Sequence, residues 1–170
     1  MRISKHSVAP LYKVRKSLIQ GRGVFALRRI RKGRRIIEYT GKRITNAEAD
    51  LLYESEERNP SHTVLFIVDK NTVIDADQNG NDARFFNHSC DPNCESVVEG
   101  GRVYIDAIRN IQPGVELAYD YSLEGDDDDE DEEGVFACKC GSEICRGTLL
   151  GEKPKNKKKK RKKNRKPNRA

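Results

Sequence analysis

Three cysteines fall within eight residues near the end of this 170-residue chain, as Cys138-x-Cys140-x4-Cys145, with Gly141 supplying a turn among them. Spacing this short gathers thiolates around a tetrahedral zinc ion, and such an ion takes four ligands. Cys90 and Cys94, which lie 48 and 44 residues upstream of Cys138, are the other cysteines, so one of them can be the fourth. A shared ion would staple the C-terminal segment across the loop around residue 90. Scattered buried thiols or a redox pair are the alternatives, and the density of thiols favours zinc.

The loop in question is Arg84-Phe85-Phe86-Asn87-His88-Ser89-Cys90-Asp91-Pro92-Asn93-Cys94. Asn, Ser, Asp and Pro favour turns, so a surface loop is the simplest reading. Phe85, Phe86, Cys90 and Cys94, however, prefer burial. Polar groups threaded among such residues need partners from the fold or from a ligand. Farther along, Glu116-Leu117-Ala118-Tyr119-Asp120-Tyr121 reads as a strand with Tyr119 and Tyr121 on one side. Two phenols in line either pack in a core or line a narrow polar channel. Gly21-Arg22-Gly23-Val24-Phe25-Ala26 fits a dinucleotide-binding pattern only superficially, because the Lys32-Gly33 turn follows too soon for a crossover helix. It is a tight glycine turn that lets something approach the backbone.

The rest of the chain reads as short strands between turns: residues 23–27, 35–39, 64–68, 72–76, 102–107 and 115–118, the third and fourth forming a hairpin about Lys70-Asn71. One short helix is predicted, opened by the capping-box pattern Thr45-Asn46-Ala47-Glu48 and stopped by Asn59-Pro60. The fold class is therefore mainly β with a small, irregular core. Charge is unevenly spread. Residues 126–133 are eight consecutive acids, and residues 153–170 hold twelve bases. Without those twelve bases the net charge falls from +6 to −6, and setting the eight acids aside as well leaves +2. Both blocks are expected to be disordered when free. No apolar run approaches the ~20 residues of a membrane span. Met1–Gln20 lacks an apolar signal core. An intracellular setting with reduced thiols is expected.

Taken together, GRGVFAL, IIEYTGKRI, RFFNHSCDPNC, ELAYDYS and CKCGSEICRG resemble, in order and spacing, the SET-domain protein lysine methyltransferases that carry a C-terminal post-SET segment. The resemblance covers about Gly21 to Gly147. It implies several small curved sheets, with the NHS segment threaded through a later loop as a pseudoknot. With the charge blocks, it divides the chain into an N-terminal extension over 1–10, a SET domain over 11–122, an acidic linker over 123–134, a post-SET zinc segment over 135–151 and a disordered basic tail over 152–170; the SET and post-SET parts are what the resemblance implies. It assigns S-adenosylmethionine contacts to Gln20, Arg22, Gly23, Asn87 and His88, with Lys139 and Arg146 near the cofactor. It assigns zinc to Cys90, Cys138, Cys140 and Cys145, which leaves Cys94 to the core. Tyr121 matches the catalytic tyrosine, Tyr39 helps shape the lysine channel, and Tyr119 sits where a phenol restricts the product mainly to monomethyllysine.

The chemistry implied is in-line attack of a lysine amine on a sulfonium methyl. Free lysine, with a pKa of about 10.4, is mostly protonated at neutral pH and cannot attack. A dry channel disfavours the ammonium, so positioning by tyrosines replaces a strong base. The implied substrate is a Lys/Arg-rich protein, histone or histone-like, in a nucleus or a bacterial cytoplasm or nucleoid. A ribosomal or other non-histone target, or a catalytically weak SET scaffold that binds chromatin or nucleic acid, are the competing readings. The acidic run is not a family motif, and either steers basic substrate or solubilises. The tail, which has no aromatic residue, can bind nucleic acid only through phosphates, or serve as an automethylation or autoinhibitory segment.

Overall fold

The computed structural model of the protein describes residues 9–53, 64–123, 134 and 136–151. The start of the expected N-terminal extension, the Asn59-Pro60 helix stop, the eight acids and the basic tail lie outside the described residues. Among the described residues there are ten short strands in three small sheets, with one α-helix. The strands are β1 (Tyr12–Lys16), β2 (Arg22–Ala26), β3 (Arg35–Tyr39), β4 (Lys42–Ile44), β5 (Leu65–Asp69), β6 (Thr72–Asp75), β7 (Asn87–His88), β8 (Cys94–Glu99), β9 (Arg102–Ala107) and β10 (Glu116–Tyr119). The mainly-β expectation holds, and each of the six strand readings falls on an observed strand. The residue-70 hairpin forms as β5–β6, its turn closed by the Asn71 N–H on Asp69 Oδ1 at 2.8 Å.

The sheets run in the orders β1-β2-β10-β7, β3-β9-β8 and β4-β6-β5. β2 is central, and Gly23–Ala26 are buried on both faces, which explains its continuous apolar run. β9 is also central but shows period-2 alternation, with Val103, Ile105 and Ala107 inward and Arg102 outward. Val24, Phe86, Ile105 and Leu117, each at most 1% exposed, bring the first two sheets together in one core. Tyr39, Val64, Ile74 and Val103 form a second cluster beside it.

The helix α1 (Asn46–Tyr53) opens with the expected capping box. The Thr45 N–H donates to Glu48 Oε2 at 2.8 Å, and the Glu48 N–H donates to Thr45 Oγ1 at 3.2 Å. Reciprocal caps of this kind contribute about 1 kcal/mol. Its buried face is small, Ala49 packing on Ile44 and Val73, while Leu51 points to solvent.

Candidate active site

β7 is only two residues long, but it places the site. It pairs in parallel with β10, Asn87 beside Ala118 and His88 beside Tyr119. The Ser89 N–H extends that pairing to the Tyr119 carbonyl at 3.1 Å. Asn93 then imitates a strand residue with its side chain: Nδ2 donates to the Glu116 carbonyl at 2.7 Å, and Oδ1 accepts the Ala118 N–H at 3.0 Å. The 87–94 segment is thereby fastened along β10. The polar residues that looked like a surface loop are spent on the fold, and Asn87, His88, Ser89 and Cys90 are all buried.

A cavity of about 190 Å³ opens beside this segment. Gln20, Gly21 and Arg22 form one side, Asn87, His88 and Tyr121 another, and Lys139 and Leu149 close it from the C-terminal segment. The Asn87 amide donates to the carbonyls of Gln20 (3.3 Å) and Arg22 (3.1 Å) and to Glu116 Oε1 (2.7 Å), which locks the glycine turn to the loop. The Arg22 guanidinium lies 3.9 Å over the Phe85 ring, and Arg84 also lines the cavity, its buried Nε without a partner among the described residues. The cavity thus offers cations, an aromatic face, apolar walls and backbone groups together.

A second cavity, of about 280 Å³, is lined by Tyr39, Leu65, Phe66, Ile67, Tyr119, Tyr121, Ser122 and Leu123. Tyr121 belongs to the walls of both cavities. Its hydroxyl donates to the Phe86 carbonyl at 2.7 Å, and the Tyr39 hydroxyl donates to the Val64 carbonyl at 2.9 Å. The Tyr119 ring stands 5.0 Å from that of Tyr121, and its hydroxyl has no hydrogen-bond partner among the described residues. Burial pushes all three phenols above their ordinary range, so they are neutral at physiological pH.

The Sγ atoms of Cys90, Cys138, Cys140 and Cys145 lie within 4.8 Å of one another. Cys94 is elsewhere: it is 1% exposed in the main core, and burial pushes its thiol up to about 12. Burial also raises Cys90 and Cys138. At Cys140 burial is outweighed by hydrogen bonds from the backbone at Cys90 and Ser142 and from the Cys138 and Cys145 thiols, which bring it down to about 6. Four thiols gathered this closely are a donor set that a cation would complete.

His88 joins the cavity to this cluster. Nδ1 accepts the Tyr121 N–H at 3.1 Å, so the ring proton sits on Nε2, which faces Cys90 Sγ at 3.3 Å. Burial lowers the His88 pKa, in keeping with a neutral ring. Asp120 holds Arg146 in a bidentate pair at 2.6 and 2.9 Å, and the Arg146 N–H points at Cys90 Sγ at 3.4 Å. The C-terminal segment is clipped on by main-chain bonds as well: Leu123 N–H to the Leu149 carbonyl (3.2 Å) and Gly151 N–H to the Leu123 carbonyl (2.9 Å).

The structure therefore brings Gln20, Arg22, Asn87, His88, Lys139 and Tyr121 to one cavity, and Tyr39 and Tyr119 to the other. Gly23 and Arg146 do not line the first cavity; Gly23 lies under the Glu116 carboxylate and Arg146 pairs with Asp120. The sequence reading gave no role to Arg84, Phe66, Glu116 or Asp120. Glu116 and Asp120 stand within the ELAYDY motif, but their partners Ser17, Asn87 and Arg146 are 26 or more residues away, and no local signal reveals such pairs.

The SET-domain family model matches residues 21–122, which contain every residue of both cavities except Ile19, Gln20, Leu123 and those of the C-terminal segment. The chain is 42% identical over 139 residues to a histone-lysine N-methyltransferase, H3 lysine-4 specific, of Saccharomyces cerevisiae. It is 40% identical to the protein of the same description in Eremothecium gossypii, and 36% identical to the histone-lysine N-methyltransferase trithorax of Drosophila virilis. Each alignment covers 79% of this chain but only 13%, 14% and 3% of the respective relative, so the chain spans a small part of the proteins it matches. With that match laid over the three small sheets and the β7–β10 pairing, the chain belongs to the SET-domain family.

Proposed function

We propose that the chain is a protein-lysine N-methyltransferase that takes its methyl group from S-adenosylmethionine and delivers it to a lysine of a basic protein, histone or histone-like. The observation that carries this reading is Tyr121 standing in the walls of two cavities. One has the donor set for a zwitterionic cofactor: Arg22, Lys139 and the unpartnered Arg84 Nε for a carboxylate, Phe85 and Leu149 for apolar surface, and the Gln20–Arg22 backbone. S-adenosylmethionine bound there supplies an electrophilic sulfonium methyl. The other cavity is apolar and ringed by tyrosines, which suits the stem and amine of a lysine.

The chain's own contribution is orientation and desolvation. Because the Tyr121 hydroxyl already donates to Phe86, it has only lone pairs to offer, so it accepts an N–H of the incoming amine and turns the nitrogen lone pair away from itself. Tyr39, similarly spent on Val64, narrows the channel from the other side. The apolar walls of Leu65, Phe66 and Leu123 disfavour the ammonium, so the neutral amine enters at lower cost. Tyr119, whose hydroxyl is unpartnered among the described residues, can hold a water in the space a methylated amine would need, which favours monomethylation. β5 is an edge strand with Leu65–Ile67 on the cavity wall, and an extended peptide can add to that edge.

Cys90, Cys138, Cys140 and Cys145 would hold a structural zinc that fastens the 135–151 segment over the 11–122 domain. The basic tail would add sequence-independent contacts to nucleic acid. The relatives' specificity makes a histone H3 peptide containing lysine 4 the first substrate to try. The test is transfer of labelled methyl to a panel of basic proteins, with Tyr121→Phe alongside. Label on lysine, falling by about 10²–10³ in the variant, is expected from loss of one orienting group. Folded, zinc-loaded chain that neither labels any protein nor binds the cofactor would sink the proposal.

A further inference from the structure

Between β2 and β3 the chain runs through Arg28-Arg29-Ile30-Arg31-Lys32-Gly33-Arg34, and we propose that this loop is a docking surface for the phosphate backbone of duplex nucleic acid, separate from the basic tail. Its five bases are all exposed, and Ile30 alone turns inward, at 1% exposure. Ile30 is fixed by two main-chain bonds to Ile111, at 2.9 and 2.8 Å. The Gly33 N–H donates to the Ala107 carbonyl at 2.7 Å, the Ala107 N–H to the Arg34 carbonyl at 3.0 Å, and the Lys32 N–H to Asn110 Oδ1 at 3.1 Å. The cations are therefore presented on a backbone clipped to the 107–111 turn, and little backbone entropy remains to be lost on binding.

Elsewhere the arginines beside carboxylates are paired: Arg35 with Glu99 and Asp106, Arg102 with Glu38, Arg109 with Asp91, Arg146 with Asp120. Arg28, Arg29, Arg31, Lys32 and Arg34 make no ion pair among the described residues. Asp82, which shares a shallow cleft with Arg28 and Arg34, is the lone carboxylate among the described residues of that cleft. A group of this size that no carboxylate among the described residues neutralises calls for a polyanion and repels a Lys/Arg-rich peptide.

Two features favour nucleic acid over an acidic protein. Four of the five bases are arginine, whose planar fork matches phosphate oxygens. Within the loop the one large apolar side chain, Ile30, is buried, and the exposed Leu27 just before it is a single side chain, whereas a protein interface needs an apolar centre. The loop follows the Ala26 end of β2, while the Arg22 end borders the first cavity. Nucleic acid held here leaves both cavities open, an arrangement suited to a basic substrate that is itself bound to nucleic acid.

The test uses the full-length chain with the twelve tail bases replaced by glutamine, compared with the same chain also carrying R28Q, R29Q, R31Q, K32Q and R34Q. Binding to a short labelled duplex is followed by anisotropy as salt rises. Three to five phosphate contacts give a log–log salt slope of about −3 to −4.5, or roughly 40- to 500-fold weaker binding over a fourfold rise in salt. The tail-neutral chain should show that slope and the loop variant should lose it. R29Q or R31Q alone should each reduce the slope by about 0.9, which carries the test should the fivefold variant misfold. Failure of the tail-neutral chain to bind, equal slopes with and without the loop bases, or binding of polyglutamate as tight as binding of the duplex would each overturn the proposal. Methyl transfer to a short free peptide should be unchanged in the loop variants.

Discussion

Gly23→Ala is a small change whose cost can be worked out from one carboxylate. A Cβ at position 23 would lie 2.8 Å from Glu116 Cδ and 3.0 Å from Ser17 Cβ, nearer still to Glu116 Oε1. Real Cβ atoms do not tolerate that, so the carboxylate must leave. In its place it accepts from the Ser17 hydroxyl at 2.8 and 3.0 Å and from the Asn87 amide at 2.7 Å. Hydrogen bonds to charged groups contribute about 1.5–3 kcal/mol each. Partial exposure of Glu116 returns some of this as hydration, so a loss of about 2–4 kcal/mol is expected. Glu116→Ala removes the same bonds and leaves room for the new methyl. Adding Gly23→Ala to Glu116→Ala should then cost almost nothing. Urea unfolding of the four chains of this cycle should give a coupling of about 2–4 kcal/mol. Additivity within about 0.5 kcal/mol would refute the argument, and would return Gly23 to the role of a direct cofactor contact. Cofactor titration supplies the second readout: the single glycine variant should weaken S-adenosylmethionine binding by loosening Asn87, and should do so less on the Glu116→Ala background.

Tyr119→Phe removes the cavity phenol that has no hydrogen-bond partner among the described residues, so mass spectrometry of the product should show a shift from monomethyl toward di- and trimethyllysine with folding unchanged. Cys90→Ser should abolish stoichiometric zinc binding and lower the thermal midpoint, whereas Cys94→Ser should keep the metal, because Cys94 is packed in the core away from the cluster; metal analysis of both purified variants decides this. The Asp120 carboxylate is opposed by burial but held below the usual carboxylate range by Arg146. Its contribution to stability is therefore complete above the unfolded value of about 3.9 and disappears as pH falls through the depressed folded value. Thermal midpoints measured from about pH 5 downward should fall in the parent chain and fall less in Asp120→Asn.

How much of this was legible in the sequence depends on how local the cause is. The capping box of α1 and the β5–β6 hairpin depend on residues three or four apart, and both appear where the pattern put them. β1, β4 and β8 went unread because their cores are thin. In β1, Val14 is flanked by Lys13 and Arg15, whose charges conceal a strand held mainly by its pairing with β2. β8 begins inside the NHSCDPNC motif, where turn-forming residues dominate the local signal. β7 is too short for any periodicity to exist, and its pairing depends on β10, about thirty residues later. The cysteine spacing called for a fourth thiol beside the three but could not choose between Cys90 and Cys94, and it is Cys90 that lies with them. That choice follows from the backbone: Cys94 starts a strand and turns inward, while Cys90, still in the bend, faces the C-terminal segment.

The same bend explains why the thiol cluster and the tyrosines cannot be treated as separate sites. Cys90 receives the Nε2–H of His88, whose Nδ1 in turn accepts the Tyr121 N–H, and the Tyr121 hydroxyl returns to the Phe86 carbonyl. The loop that supplies a thiol thus also sets the backbone and the hydroxyl of the residue common to both cavities. Buried networks of this kind are sensitive to a single missing partner, because the groups left unpaired bear the full desolvation penalty. An ion that fixes Cys90 would fix the His88 ring, and with it the height of Tyr121 in the channel. Loss of metal should therefore reduce the rate of transfer even where the first cavity still holds its ligand, and a kcat loss larger than the change in cofactor affinity is the signature that separates this coupling from simple loosening of the C-terminal segment.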